Sequence, residues 1–172
     1  MIRSLKGKSP QIHPTAFVSE AAYLIGDIEI GAESSVWPGV VMRADHGKMK
    51  IGQRTNIQDG SILHADGDMD IGDDVTVGHA VVCHARSVGD HSLLGNNCTL
   101  NDGATVGEWS IVAAGAVVIE DREIPSNSIA TGVPAKIAGP MLERHYDLLK
   151  FTSAAHVALG AEYKAEGGLE HA

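Results

Sequence analysis

Three histidines have the residue type and spacing to do chemistry. His79 and His84 lie five residues apart in DIGDDVTVGHAVVCHA, residues 70–85, and His64 precedes His84 by twenty. Imidazole nitrogen suits zinc, cobalt and iron(II). Three imidazoles with a fourth position left open make the donor set of catalytic zinc, whereas structural zinc is closed by four protein ligands. Such a site brings the pKa of bound water to about 7 and so produces hydroxide near neutral pH. Taken singly, each histidine reads as a polar residue at a strand edge. What matters is whether the elements carrying them bring them together.

Bulk properties limit those elements. The chain has 172 residues, enough for one domain with a sizeable core. Aromatic residues make up 4% and there are 20 glycines, so the interior is built from Val, Ile, Ala and Leu and is thin. A formal charge of −9 without a basic stripe argues against nucleic acid. Cys83 and Cys98 form neither a CxxC pair nor a disulfide framework and read as small core residues. The opening MIRSLKGKSP lacks a signal-peptide apolar region, and no run is long enough to span a membrane. The expectation is a cytoplasmic protein.

Aliphatic positions recur at Ile71, Val77, Cys83, Val88, Leu94, Leu100, Val106, Val112, Val118 and Ile124. The step is six residues throughout, except for five between Cys83 and Val88. That period fits neither a helix nor a heptad. It fits a parallel β-helix of hexapeptide repeats, an all-β solenoid in which three hexads make one triangular coil of about eighteen residues. The aliphatic side chain points into the prism. The period breaks from Met42 to Ile51, a gap of nine, and from Leu63 to Ile71, a gap of eight. The surplus residues, around ADHGKMK and ADGDMD, are expected to leave one corner as loops. The solenoid is expected over residues 10–136. Met141, His145, Leu148, Leu149, Thr152, Ala155, His156 and Leu159 then follow helical spacing, predicting an amphipathic helix over 140–163 that packs on the prism or on a neighbouring subunit. The final EGGLEHA reads as a frayed tail.

The register places the histidines. His64 follows the inward Leu63, and His84 follows the inward Cys83. Their spacing of twenty is one coil plus the two surplus residues of ADGDMD, so they stack on adjacent coils about 4.8 Å apart. His79 falls one hexad earlier, on the preceding face, and cannot readily reach the same ion. A second subunit related by threefold symmetry could present its own His79 there. The arrangement predicts a homotrimer with metal sites at its seams.

With these residues in view, the stretch VWPGVVMRADHGKMKIGQRTNIQDGSILHADGDMDIGDDVTVGHAVVCHA, residues 36–85, resembles the gamma-class carbonic anhydrases. Arg43 and Asp45, then Asn56, Gln58 and Asp59, then the three histidines fall in family order, and TGVPAK at residues 131–136 adds to the match. The resemblance implies left-handed coiling. It implies that His64 and His84 bind one divalent metal per subunit, with His79 supplied by the next subunit. Zinc comes first among the metals, with iron or cobalt also admitted. Gln58 would hydrogen-bond the metal-bound water or hydroxide, Asn56 would orient Gln58, and Arg43 would pair with Asp45 and Asp59 near the seam. The implied reaction is hydration of CO2 to bicarbonate by metal-bound hydroxide. The glutamate-bearing acidic loop of active members is missing here. His46 stands as a substitute proton carrier or as a solvated loop residue, and Ala85 replaces a usual glycine. Two other classes stay open. One is an acyl-group enzyme on the same scaffold, a metal-dependent thioesterase or a CoA-dependent acyltransferase; the other is a non-catalytic trimeric assembly protein.

Overall fold

The computed structural model describes residues 1–166. Of the tail expected to fray, Glu166 is instead the last residue of the helix, and residues 167–172 lie outside the described residues. The chain winds as a parallel β-solenoid of about seven turns. Its inward register is the one the period predicts: from Ile71 to Ile124 every such residue is at most 2% exposed. Coil pairs with coil in phase, Leu63 beside Cys83 and Cys83 beside Leu100. Twelve strands form one sheet that turns a corner, because Tyr23–Ile30 and Val41–Ile51 each run through two faces; eight shorter strands form the third face. The first strand, Ile2–Arg3, already pairs with Leu24 and Ile25, so the regular fold begins before residue 10.

The corners leave backbone carbonyls without ladder partners, and hydroxyls take them up. Ser34 donates to the Gly52 carbonyl at 2.7 Å, Thr55 to Gly72 at 2.7 Å and Ser61 to Gly78 at 2.7 Å. Another column occupies the left-handed backbone region: Glu33, Arg54, Asp74, His91, Trp109 and Asn127 all have φ between 53° and 59°. Stacked side chains bind this column. Arg54 makes a bidentate pair with Asp74 at 3.0 and 2.7 Å, and His91 lies 4.0 Å from Trp109, ring over ring.

The two insertions stack on one another at a single corner. The first is not a separate loop: Val41–Ile51 runs as one strand, with its surplus residues bulging outward between Ala44 and Met49, where they face only Gly26 to Ile28 on the neighbouring strand. Gly47 lies against Gly67 so closely that a Cβ would sit 2.2 Å from the Gly67 carbonyl carbon. Lys48 N–H donates to Asp68 at 2.8 Å across the same contact. The corner is thus a fixed double turn carrying Asp45 and Asp66.

The C-terminal helix spans Glu143–Glu166 and lies on the eight-stranded face of its own prism. Its docking face differs from the apolar stripe that helical spacing suggests. Leu149, Ser153 and Gly160 are buried, while Leu148 and Leu159 are 47% and 38% exposed. The docking surface explains the shift, because it offers polar partners and close approach as well as an apolar cluster in which Leu149 packs with Ile111 and Met141. Ser153 bonds Asp74 at 2.9 Å and the Arg54 carbonyl at 3.2 Å, Tyr146 donates to Asn127 at 2.9 Å, and Gly160 sits against Ser35 and Phe17. Among the described residues, no helix is long and apolar enough to cross a membrane.

Asp74 joins solenoid to helix. Burial pushes its carboxyl up, but the hydrogen bonds from Arg54 and Ser153 outweigh this and hold it below its ordinary value. A depressed carboxyl stabilises the fold above the unfolded-state value near 4, and this stabilisation is lost as pH falls through the folded value. Asp74→Asn is expected to lower unfolding free energy by about 1–3 kcal/mol at neutral pH. In denaturant titrations the gap from wild type should close below about pH 4; a gap that persists in acid would remove the ion pair as its cause.

Candidate metal centre

His64 ends the strand Ile62–His64, and His84 directly follows Val82–Cys83. The phase between coils brings the two rings together, tilted by 51°, at the corner built by the insertions. His64 Nδ1 lies 2.6 Å from His84 Nε2, with ring centroids 4.7 Å apart. Each outward nitrogen meets a carboxylate. Asp45 stands 2.9 Å from His64 Nε2, and Asp102 bonds His84 Nδ1. Arg43 in turn binds Asp45. Desolvation pushes Asp45 up, but the hydrogen bonds from His64 and Arg43 and the guanidinium charge bring it down to about 2. Asp45 is therefore a fixed anion.

The donor chemistry fits a metal. When each carboxylate accepts an N–H from the outer nitrogen, the inner nitrogens carry only lone pairs. Two lone pairs 2.6 Å apart repel unless a cation or a shared proton lies between them. Carboxylate behind imidazole is also the arrangement that orients histidine ligands and raises their basicity. Asp66, from the second insertion, brings a carboxylate oxygen into the same group, all within 4.8 Å of one another.

The other expected site residues lie elsewhere in the protomer. His79 is exposed at the corner where the eight-stranded face ends, with Nδ1 3.2 Å from Asp59. It does not join His64 and His84 within one chain. Asp59 sits with His79 rather than with Arg43, because the turns carrying Arg43 and Asp59 are at opposite ends of the face between them. Asn56 and Gln58 are buried under the helix. Gln58 Nε2 is 3.0 Å from Asn56 Oδ1 and 3.1 Å from His156 Nε2, and Asn56 Nδ2 donates to Thr76 at 2.9 Å. His46 is exposed, its ring edge-on to His64 at 6.2 Å.

Two residues join the site that sequence reading passed over. Asp102 lies one coil beyond His84, and extending the register by one more turn finds it beside that histidine. His156 was legible only as one member of the helical stripe; its contact with Gln58 depends on the helix's rotation. Cys83 and Cys98 take no part. Burial raises their thiols to about 11 and 12, which keeps them protonated and inert.

Comparison with known proteins places this geometry in a family. The family described as "Bacterial transferase hexapeptide (six repeats)" matches residues 87–120. A carbonic anhydrase of Geobacillus kaustophilus is 38% identical over 167 residues, covering 96% of this chain and 92% of that protein. Gamma carbonic anhydrase 1, mitochondrial, of Arabidopsis thaliana is 35% identical over 167 residues, and the match spans 92% of this chain but 61% of the plant protein. Among solved structures, a hexapeptide transferase family protein from Anaplasma phagocytophilum superposes with a TM-score of 0.91 at 33% identity, covering 94% of this chain and 97% of that one. With the coil register, the paired imidazoles and a near full-length bacterial relative in agreement, the chain belongs to the gamma-class carbonic anhydrase family of hexapeptide-repeat proteins.

Proposed function

We propose that this protein hydrates CO2 to bicarbonate at a divalent metal shared between subunits of a homotrimer. The observation that carries the reading is the His64–His84 pair, with its inner nitrogens converging and a carboxylate behind each ring. His64 and His84 would hold the metal from one subunit and His79 from the next, leaving a position for solvent. Zinc suits three neutral imidazoles, and iron(II) and cobalt(II) suit the same donors. When bound, the metal supplies a water whose pKa falls to about 7.

The chain's own residues do the rest. Asp45 and Asp102 fix the ring orientation of the two histidines, and Arg43 fixes Asp45. His79 and Gln58 leave the same face through neighbouring turns, so a subunit that donates one brings the other with it. Gln58 and Asn56 would orient the attacking oxygen relative to the CO2 carbon, a positional demand that is worth orders of magnitude in rate. His46 Nε2 offers an exposed acceptor for the proton that hydration releases.

Half-sites at different corners need an asymmetric contact, corner to opposite corner, and such contacts form a ring where the rotation between subunits closes. A prism of triangular section favours the threefold ring. Acyl-group transfer is the competing reading, favoured by the matching transferase family and by the Anaplasma neighbour. A transferase working through one histidine as general base has no need for two imidazoles backed by two carboxylates.

Stopped-flow CO2 hydration on protein reconstituted with Zn(II), Co(II) or Fe(II) decides between them. Metal-dependent hydration should appear and be lost in His84→Ala. Turnover of acyl-CoA without CO2 hydration would give the site to acyl chemistry instead.

His79→Ala should leave the solenoid folded by circular dichroism while lowering bound metal well below that of the wild type. Unchanged stoichiometry, or a monomer in sedimentation, would refute the shared site.

Asp102→Asn keeps the side chain's shape but removes its charge. Metal affinity or hydration should fall by about 10–100-fold, as read by competition with a chromogenic chelator. An unaltered affinity would leave Asp102 with no part in holding His84.

A further inference from the structure

We infer that His156 on the C-terminal helix is a positioning residue that locks the Gln58 amide in one orientation, with only its carbonyl oxygen left for the reacting groups. The inference rests on the carbonic anhydrase reading for its role, but its geometry stands in a single chain.

The lock is a line of hydrogen bonds whose direction is set at both ends by backbone carbonyls, which can only accept. At the helix end, His156 Nδ1 lies 2.9 Å from the Thr152 carbonyl. That nitrogen must donate, so in a neutral ring Nε2 carries the lone pair. Gln58 Nε2 stands 3.1 Å from it and therefore donates. The second hydrogen of the same amide nitrogen goes to Asn56 Oδ1 at 3.0 Å. At the solenoid end, Asn56 Nδ2 faces the Val75 carbonyl at 3.5 Å and Thr76 Oγ1 at 2.9 Å, so the nitrogen of that amide also points at acceptors. Turning the Gln58 amide over would set its oxygen against the Asn56 oxygen and leave His156 Nε2 without a donor.

Both hydrogens of the Gln58 amide are thus used inside the fold. Among the described residues no buried side-chain polar atom lacks a partner, so the Gln58 oxygen, which has none among them, must reach solvent. Gln58 can then only accept, and what it accepts is an O–H. An oxygen nucleophile that gives its hydrogen to Gln58 has its remaining lone pair turned away from the amide and toward the substrate. A free amide would present either end. The helix therefore has a function beyond covering a face: through the Thr152 carbonyl, with Trp37 of the solenoid 6.2 Å away edge-on, it sets the ring that sets the amide.

The test begins on the intact, metal-free, nitrogen-15-labelled protein. Long-range proton–nitrogen correlation spectra at about pH 8, above the ordinary histidine value, should show His156 protonated at Nδ1 and bare at Nε2. A ring protonated at Nε2 would overturn the lock. The second arm uses His156→Leu, which removes the acceptor, and His156→Gln, whose carbonyl oxygen restores one. In metal-loaded protein with matched metal content and circular dichroism, His156→Leu should lower kcat for hydration about tenfold with little change in KM, and His156→Gln should recover most of it. Equal loss in both variants, or no loss in either, would reject a positioning role. Wild-type protein that shows the Nδ1–H ring yet never hydrates CO2 would instead overturn the carbonic anhydrase reading and leave the lock in place.

Discussion

Everything in this molecule depends on the spacing of one coil above the next. A hexad core of medium aliphatic side chains packs only if each inward residue sits directly over its counterpart, and parallel ladders hold that stacking at about 4.8 Å. Leu63, Cys83 and Leu100 obey this, so whatever follows them in the chain is stacked too. His64 and His84 face each other for that reason alone. No loop has to fold around an ion to bring them together. The cost of assembling the pair is met by apolar burial throughout the solenoid, and a metal bound there finds its two ligands already in place.

The same regularity explains why His79 does not join His64 and His84 within one chain. Successive hexads lie on successive faces, so His79, one hexad before His84, must lie round a corner from it. The solenoid cannot bring them together without abandoning its register. The register also groups residues usefully. His79, Asp59 and Gln58 leave one face together, while His64, His84, Asp45 and Asp102 collect at the far corner. The first group includes an amide network of neutral donors and acceptors; the second is backed by two carboxylates. Charge that favours a cation is concentrated where two imidazoles meet, and the neutral amides are carried by the other corner.

Much of this was readable in the residues, and what was unreadable has a physical cause. The six-residue period, its single five-residue step and the two insertions determine coil stacking to the residue, because a slip would turn an aliphatic side chain out of the prism. The insertions themselves were harder. ADHGKMK looks like a loop by composition, yet it runs as a bulged strand, because Gly47 against Gly67 lets it stack on its partner. The helix's rotation was not legible. Leu148 and Leu159 share its apolar pattern with Leu149, but the solenoid presents it with Asp74, Arg54 and Asn127 beside an apolar cluster, and Ser153 and Tyr146 answer the polar groups while Leu149 enters the cluster. Helical periodicity records which residues share a stripe; it does not record what the opposing surface offers.

That rotation bears on the chemistry. Had the helix docked by Leu148 and Leu159, its turn carrying His156 would face elsewhere and Gln58 would keep a free N–H. The polar dock through Asp74 and Ser153 sets the helix's angle, and His156 lies one turn beyond Ser153 on the same side. An ion pair in the turn column and an amide at the neighbouring corner are therefore coupled through a single rigid element. Both rest on the same helix, although they share no contact. The C-terminal helix is free of the hexad register, and for that reason it can present a ring at an angle that no strand of the solenoid could supply.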